Sequence, residues 1–159
     1  MKMHNILMVF VLMISSLCSA QETVATPVST LVNKLAKENI VMGSAIGDGG
    51  STPTQYKTYT KLKAAATPNE LVMLTNHTNG VVRCYAFWAL YETNYTAIIP
   101  QLKAHLNDDE IIKTQFGCMI ERETVANFIL RRAKSYITYE DCTLPNNTKE
   151  AIKLLQLPE

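Results

Sequence analysis

The sequence predicts an all-α protein, a short α-solenoid or α-α superhelix of about five to seven helices in a single domain. Three observations carry this expectation. Apolar residues recur at helical spacing along most of the chain, with charged residues on the intervening faces. Helix-start chemistry and glycine-rich breaks fall where such helices would begin and end. A pattern of residues also repeats after about thirty positions, a period typical of stacked helical units. Composition agrees with one ordinary folded domain: 159 residues, 47% hydrophobic and 18% charged, with 15 Lys and Arg against 14 Asp and Glu. Such a balance excludes a disordered tail, a collagen-like rod and a polybasic nucleic-acid module, so no nucleic-acid partner is expected.

The first twenty residues read as a cleavable secretory signal. A short polar start with Lys2 and His4 precedes the apolar run from Ile6 to Ile14, and small residues end at Ala20. The run is too short for a membrane span, which takes about 20 residues, so no integral membrane span is expected. A buried N-terminal helix is the bland alternative. Lipidation at Cys18 is disfavoured because Leu17 stands where a small residue belongs. Cleavage leaves residues 21–159 as the mature domain, exported to the periplasm or secreted.

In the mature chain, Val28, Leu31, Val32, Leu35 and Val41 mark a helix over 28–42, with Pro27 at its start. Gly43, Gly47, Gly49, Gly50 and Pro53 then make 43–53 a glycine-rich loop. Residues 54–65 read as a helix. Thr67-Pro68-Asn69-Glu70 is a capping-box start for a helix over 68–76. Asn79-Gly80 marks a turn before 81–92, which is apolar on most sides and therefore belongs between other elements. Further helices are expected over 95–106, over 110–116 until Gly117 interrupts, over 123–135, and over a last short stretch from about 145 to 157.

The repeat is internal to 68–118. Val81-Val82-Arg83 corresponds to Ile111-Ile112-Lys113, each preceded by a short amphipathic stretch and a polar turn. NGVVRCYAFWAL and DDEIIKTQFGC resemble HEAT-like repeats, and their short spacing is similar to that of phycobilisome-lyase-type HEAT repeats. The signal, the GSAIGDGGSTPTQY loop and VVRCYAFWAL together resemble small exported bacterial HEAT-repeat proteins without an assigned activity. The resemblance implies an armadillo-like helical array that binds proteins. It also implies that Arg83 and Lys113 pair with acidic or carbonyl groups of a neighbouring turn; a solvated charge at a helix start is the alternative. Thr114, Gln115 and Gly117 depart from the pattern and point to a compact array.

Chemistry-bearing constellations are sparse. His77 and His105 are expected as polar turn residues, and no metal-ligand spacing accompanies them, so neither metal nor cofactor is expected. Mature cysteines are Cys84, read as a buried thiol, and Cys118 and Cys142, a possible disulfide, with three unpaired thiols as the favoured alternative. A thiol–histidine dyad has no local signature. Glu121 and Glu123, and the acids from Asp108 to Glu110, are read as helix-start charges rather than an acid–base pair. Tyr56, Tyr59, Lys57, Lys61 and Lys63 share one helix and are read as a half-buried peripheral face. Three Asn-x-Thr triplets, beginning at Asn76, Asn94 and Asn146, are read as polar turns.

Two functions of different class remain. One is a non-catalytic interaction module of the bacterial envelope that binds another envelope protein or a peptide. The alternative is a small ligand-binding protein or enzyme that uses the loop 43–53, where Gly47, Asp48, Gly49, Gly50 and Ser51 could offer backbone N–H groups to an anion.

Overall fold

Six helices and a three-stranded sheet make up the residues that this computed structural model describes: 27–93, 95 and 98–138. In chain order they are α1 (Pro27–Glu38), β1 (Val41–Ile46), α2 (Thr54–Ala65), α3 (Pro68–Leu74), α4 (Gly80–Glu92), α5 (Ile98–Ala104), β2 (Ile111–Gly117), β3 (Met119–Thr124) and α6 (Val125–Thr138). The expected all-α solenoid is therefore corrected to a mixed α/β fold. The signal segment, Cys142 and the expected last helix lie outside the described residues, and so does the possible Cys118–Cys142 disulfide.

Each strand has a local cause. Helix α1 stops at Glu38 because Asn39 takes the left-handed conformation, φ 50°, and its N–H returns to the Leu35 carbonyl at 3.2 Å. That is the αL helix ending, in which asparagine substitutes for glycine. Ile40 and Val41 are then buried in extended chain, where a longer helix was expected. Along 111–114, exposed Ile111 and Lys113 alternate with buried Ile112 and Thr114, the two-residue period of a strand. The likeness of Ile111-Ile112-Lys113 to Val81-Val82-Arg83 is thus one of sequence and not of conformation. Gly117, at φ 59°, opens the two-residue turn to β3, with Phe116 facing Met119 across it. Glycine at the first central position suits a type II′ hairpin; the sequence reading took it for a helix stop.

The sheet order is β1-β2-β3, with β1 parallel to β2 and β3 antiparallel to it. Beneath it runs α4, every residue of which from Gly80 to Tyr91 is buried. It packs against α1, α2, α3, α6, β1 and β2, so its all-round apolar character has a partner on each side. Asn79 caps it, accepting from the Val82 N–H at 3.1 Å. The Thr67–Glu70 capping box of α3 is formed as expected. An aromatic seam of Tyr56, Tyr59, Tyr85, Trp88, Phe116 and Phe128 joins α2, α4, the sheet and α6. The Arg132 guanidinium lies 3.9 Å from the Trp88 ring centre.

Three polar clamps fix the layers. Buried Gln55 donates to the Leu35 and Ile40 carbonyls at 3.1 and 2.9 Å, holding α2 to the α1–β1 connection. Glu92 at the end of α4 accepts from the Tyr59 hydroxyl at 2.8 Å and pairs with Lys63. Arg83, only 8% exposed, donates from Nε and Nη2 to Asp108 at 2.8 Å each, from Nη2 to Glu110 at 2.7 Å and from Nη1 to the His77 carbonyl at 2.7 Å. The expected pairing with acidic and carbonyl groups holds for Arg83, whereas Lys113 is exposed on β2. Burial alone would lower the Arg83 pKa, but the Asp108 and Glu110 hydrogen bonds outweigh it and the net shift is upward. For Asp108, burial acts upward and the Arg83 contacts act downward more strongly, so its pKa is lowered.

Candidate functional site

The two outer strands of the sheet are finished differently. A strand residue directs its own N–H and C=O to the same side. At Met42 in β1, both groups meet one hydroxyl: Tyr85 Oη accepts from the N–H at 2.7 Å and donates to the carbonyl at 3.3 Å. Helix α4 thereby covers that edge at Met42. On the far side β3 is outermost, and residues 119–122 are all exposed. The pair flanking a two-residue turn exchanges hydrogen bonds, and such pairs alternate with pairs that do not. With Phe116–Met119 flanking the turn, Met119 and Glu121 direct their amides to β2, and Ile120 and Arg122 direct theirs outward.

Large apolar side chains of this hairpin are exposed on both of its faces, Met119 and Ile120 being adjacent in β3 and so pointing to opposite sides. Ile111 is 60% exposed, Met119 64% and Ile120 57%. Lys113 stands directly opposite Arg122, a like-charge pair that disfavours the ladder. Edge strands are normally blunted by charge, a bulge or a covering element. Glu121 and Arg122 supply charge here, but no described element covers the outer edge.

The glycine loop lies against the hairpin tip. Residues 47–50 form a turn closed by Ile46 and Ser51, which exchange backbone hydrogen bonds at 3.0 and 3.1 Å. The Gly50 N–H returns to the Gly47 carbonyl at 3.1 Å, and the Gly47 N–H donates to the Gly117 carbonyl at 3.0 Å. Gly47, Gly50 and Ser51 thus have their amides engaged inside the protein, which leaves those of Asp48 and Gly49 for any anion. The exposed Cys118 thiol donates to Asp48 Oδ1 at 3.2 Å, tying loop to turn.

The remaining candidates are placed as structural groups. Cys84 is fully buried, and burial raises its thiol pKa well above the ordinary range, which suppresses the thiolate. His77 Nδ1 accepts from the Asn79 N–H at 3.0 Å in the turn before α4. His105 instead packs edge-on against Phe87, its ring centre 5.3 Å away, with Nδ1 3.4 Å from Asp108. Asp108 and Glu110 hold Arg83, and Glu123 pairs with Arg131. Tyr59 faces the core while Lys57 and Lys61 are exposed, so the aromatic and cationic residues of α2 point apart. Among the described residues, no group of three or more His, Cys, Asp and Glu side chains could hold a metal ion. No helix among them is long and apolar enough to cross a membrane.

Sequence reasoning missed the hairpin, the Tyr85 clamp and Gln55. The hairpin had a legible signal: Ile-Lys-Thr-Gln-Phe, then Gly-Cys, then Met-Ile-Glu-Arg-Glu-Thr, two strand-like runs around a glycine turn. Tyr85 and Gln55 had none, because their partners are far away in sequence. Comparison with family models, with curated proteins and with solved structures gave no match.

Proposed function

We propose that this chain is a non-catalytic interaction module of the bacterial envelope, exported by its N-terminal signal, which binds an extended segment of another envelope protein along β3. The observation that carries the reading is the open edge of β3 with Met119 and Ile120 exposed on it. An added strand would find outward amides at Ile120 and Arg122 and apolar side chains beside them, the requirements of recognition by strand addition. The Lys113–Arg122 pair favours an acidic residue in that segment, placed between apolar ones.

A second copy of the chain fits less well. A two-fold axis between antiparallel strands sets some residue opposite its own copy. Centred on Glu121 or Arg122, the pairing opposes like charges; centred on Ile120, it overlaps only over 119–121 before reaching the turn at Cys118.

The test is capture of the tagged mature protein from its native envelope fraction after mild cross-linking, run with wild type, Arg122→Ala and Arg122→Pro. Proline removes an outward amide without touching the ladder to β2. A partner held by wild type, weakened by alanine and lost with proline is the expected result. Equal retention by all three forms, or a clean monomer without partner, would overturn the reading.

A further inference from the structure

We infer that the groove between α1 and α2 is a binding site for a phosphate-bearing anion, separate from the hairpin. The groove encloses about 370 Å³, within the range of small-ligand sites. Lys34 and Lys37 line it from α1, and Lys57 and Lys61 from α2; Glu38 is the only carboxylate among the lining residues. The spacing explains the geometry. Residues three or four apart share a helix face, so each helix contributes a row of two cations, and the packing turns the two rows toward one another.

Three features separate this groove from a scatter of surface lysines. The rows cannot swing apart, because the buried Gln55 side chain bolts α2 to the Leu35 and Ile40 carbonyls. None of the four lysines forms an ion pair among the described residues, whereas Lys63, two residues beyond Lys61 on α2, pairs with Glu92. Thr54, the first residue of α2, also lines the groove, and that helix start has neither a side-chain cap nor an acid in its first turn. Its positive dipole end adds to the lysine charge. In a chain of net charge +1, four cations around one concave surface against the single carboxylate of Glu38 are a local concentration of positive charge.

The chemistry selects the ligand class. Lysines act as point charges, suited to phosphate oxygens, and the groove has no arginine fork to recognise a planar carboxylate. Two facing rows match an anion with two or more negative charges. A free phosphorylated small molecule and a phospholipid headgroup at the envelope membrane share this chemistry.

The experiment titrates the mature protein with sodium pyrophosphate by calorimetry and measures co-sedimentation with vesicles of phosphatidylglycerol in phosphatidylcholine. Lys34→Gln/Lys57→Gln removes one cation from each row, and Lys113→Gln is the control on the hairpin. We expect saturable one-to-one binding of pyrophosphate, or charge-dependent vesicle binding, weakened at least tenfold in the double variant and unchanged in the control. Pyrophosphate binding without vesicle binding assigns a free ligand; vesicle binding alone assigns the headgroup. Absence of both, or an equal loss with Lys113→Gln, would overturn the inference. All substituted residues are exposed, and circular dichroism checks that each variant is folded. The outcome is independent of partner capture at β3, so either proposal can fail alone.

Discussion

The two edges of one small sheet are treated in opposite ways, and the proposed docking surface rests on that contrast. At β1 the outward main chain is held at Met42 by the buried Tyr85 hydroxyl, delivered by the central helix, and at Ile46 by Ser51. At β3 no described element covers the outward amides, and Ile120 stands exposed among them. The open edge is the one proposed above for another chain, and the covered one is where the sheet is fastened to its core.

The largest expected effect comes from removing what both edges rest on. Trp88→Ala empties the middle of the aromatic seam and should cost about 3–5 kcal/mol in urea unfolding. A loss below about 0.5 kcal/mol, the surface range, would mean the sheet is supported elsewhere.

Next is the Arg83 clamp, which fixes the chain entering β2. Asp108→Asn leaves a buried guanidinium short of its main partner and should cost about 3 kcal/mol. Because Asp108 has a lowered pKa in the folded protein, its contribution is complete above the ordinary carboxylate range and is lost as pH falls through its folded value. The stability difference between wild type and Asp108→Asn should therefore be constant near pH 7 and shrink below about pH 4. A difference that grew on acidification would contradict the assignment.

Tyr85→Phe tests the covered edge alone. It leaves the Met42 N–H unsatisfied and should cost about 1–3 kcal/mol, with faster amide exchange at Met42. Smallest is the open edge. Arg122→Pro should change unfolding free energy by less than about 0.5 kcal/mol while abolishing partner capture. A large destabilisation would show that this amide serves the fold.

What could be read from the chain divides along the same line. The buried α4, the Thr67 capping box and the turn at 47–50 were legible because their causes lie within a few neighbouring residues, whereas the first part of the expected loop 43–53 is strand β1 as far as Ile46. The strands were not, because their pairing is non-local. β1 finds β2 across most of the described chain, and its start depends on Asn39 doing what glycine usually does. The apparent repeat between 81–83 and 111–113 drew the alternating stretch Ile111 to Phe116 into a helix, although its exposure pattern has period two. Of the candidate site, the loop Gly47 to Ser51 was legible as a loop. Its closure on itself and on Gly117 was not, since the closing bonds reach a turn far along the chain. The four groove lysines were visible individually, but only the packing of α1 on α2 brings them face to face.

The most direct test of the contrast is residue-resolved amide exchange of the mature protein by NMR, free of any partner. The account predicts a protected amide at Met42, slowed by its bond to Tyr85, and fast exchange at Ile120 and Arg122. Slow exchange at Ile120 and Arg122 in the free monomer would contradict it, because the β3 edge would then already be closed.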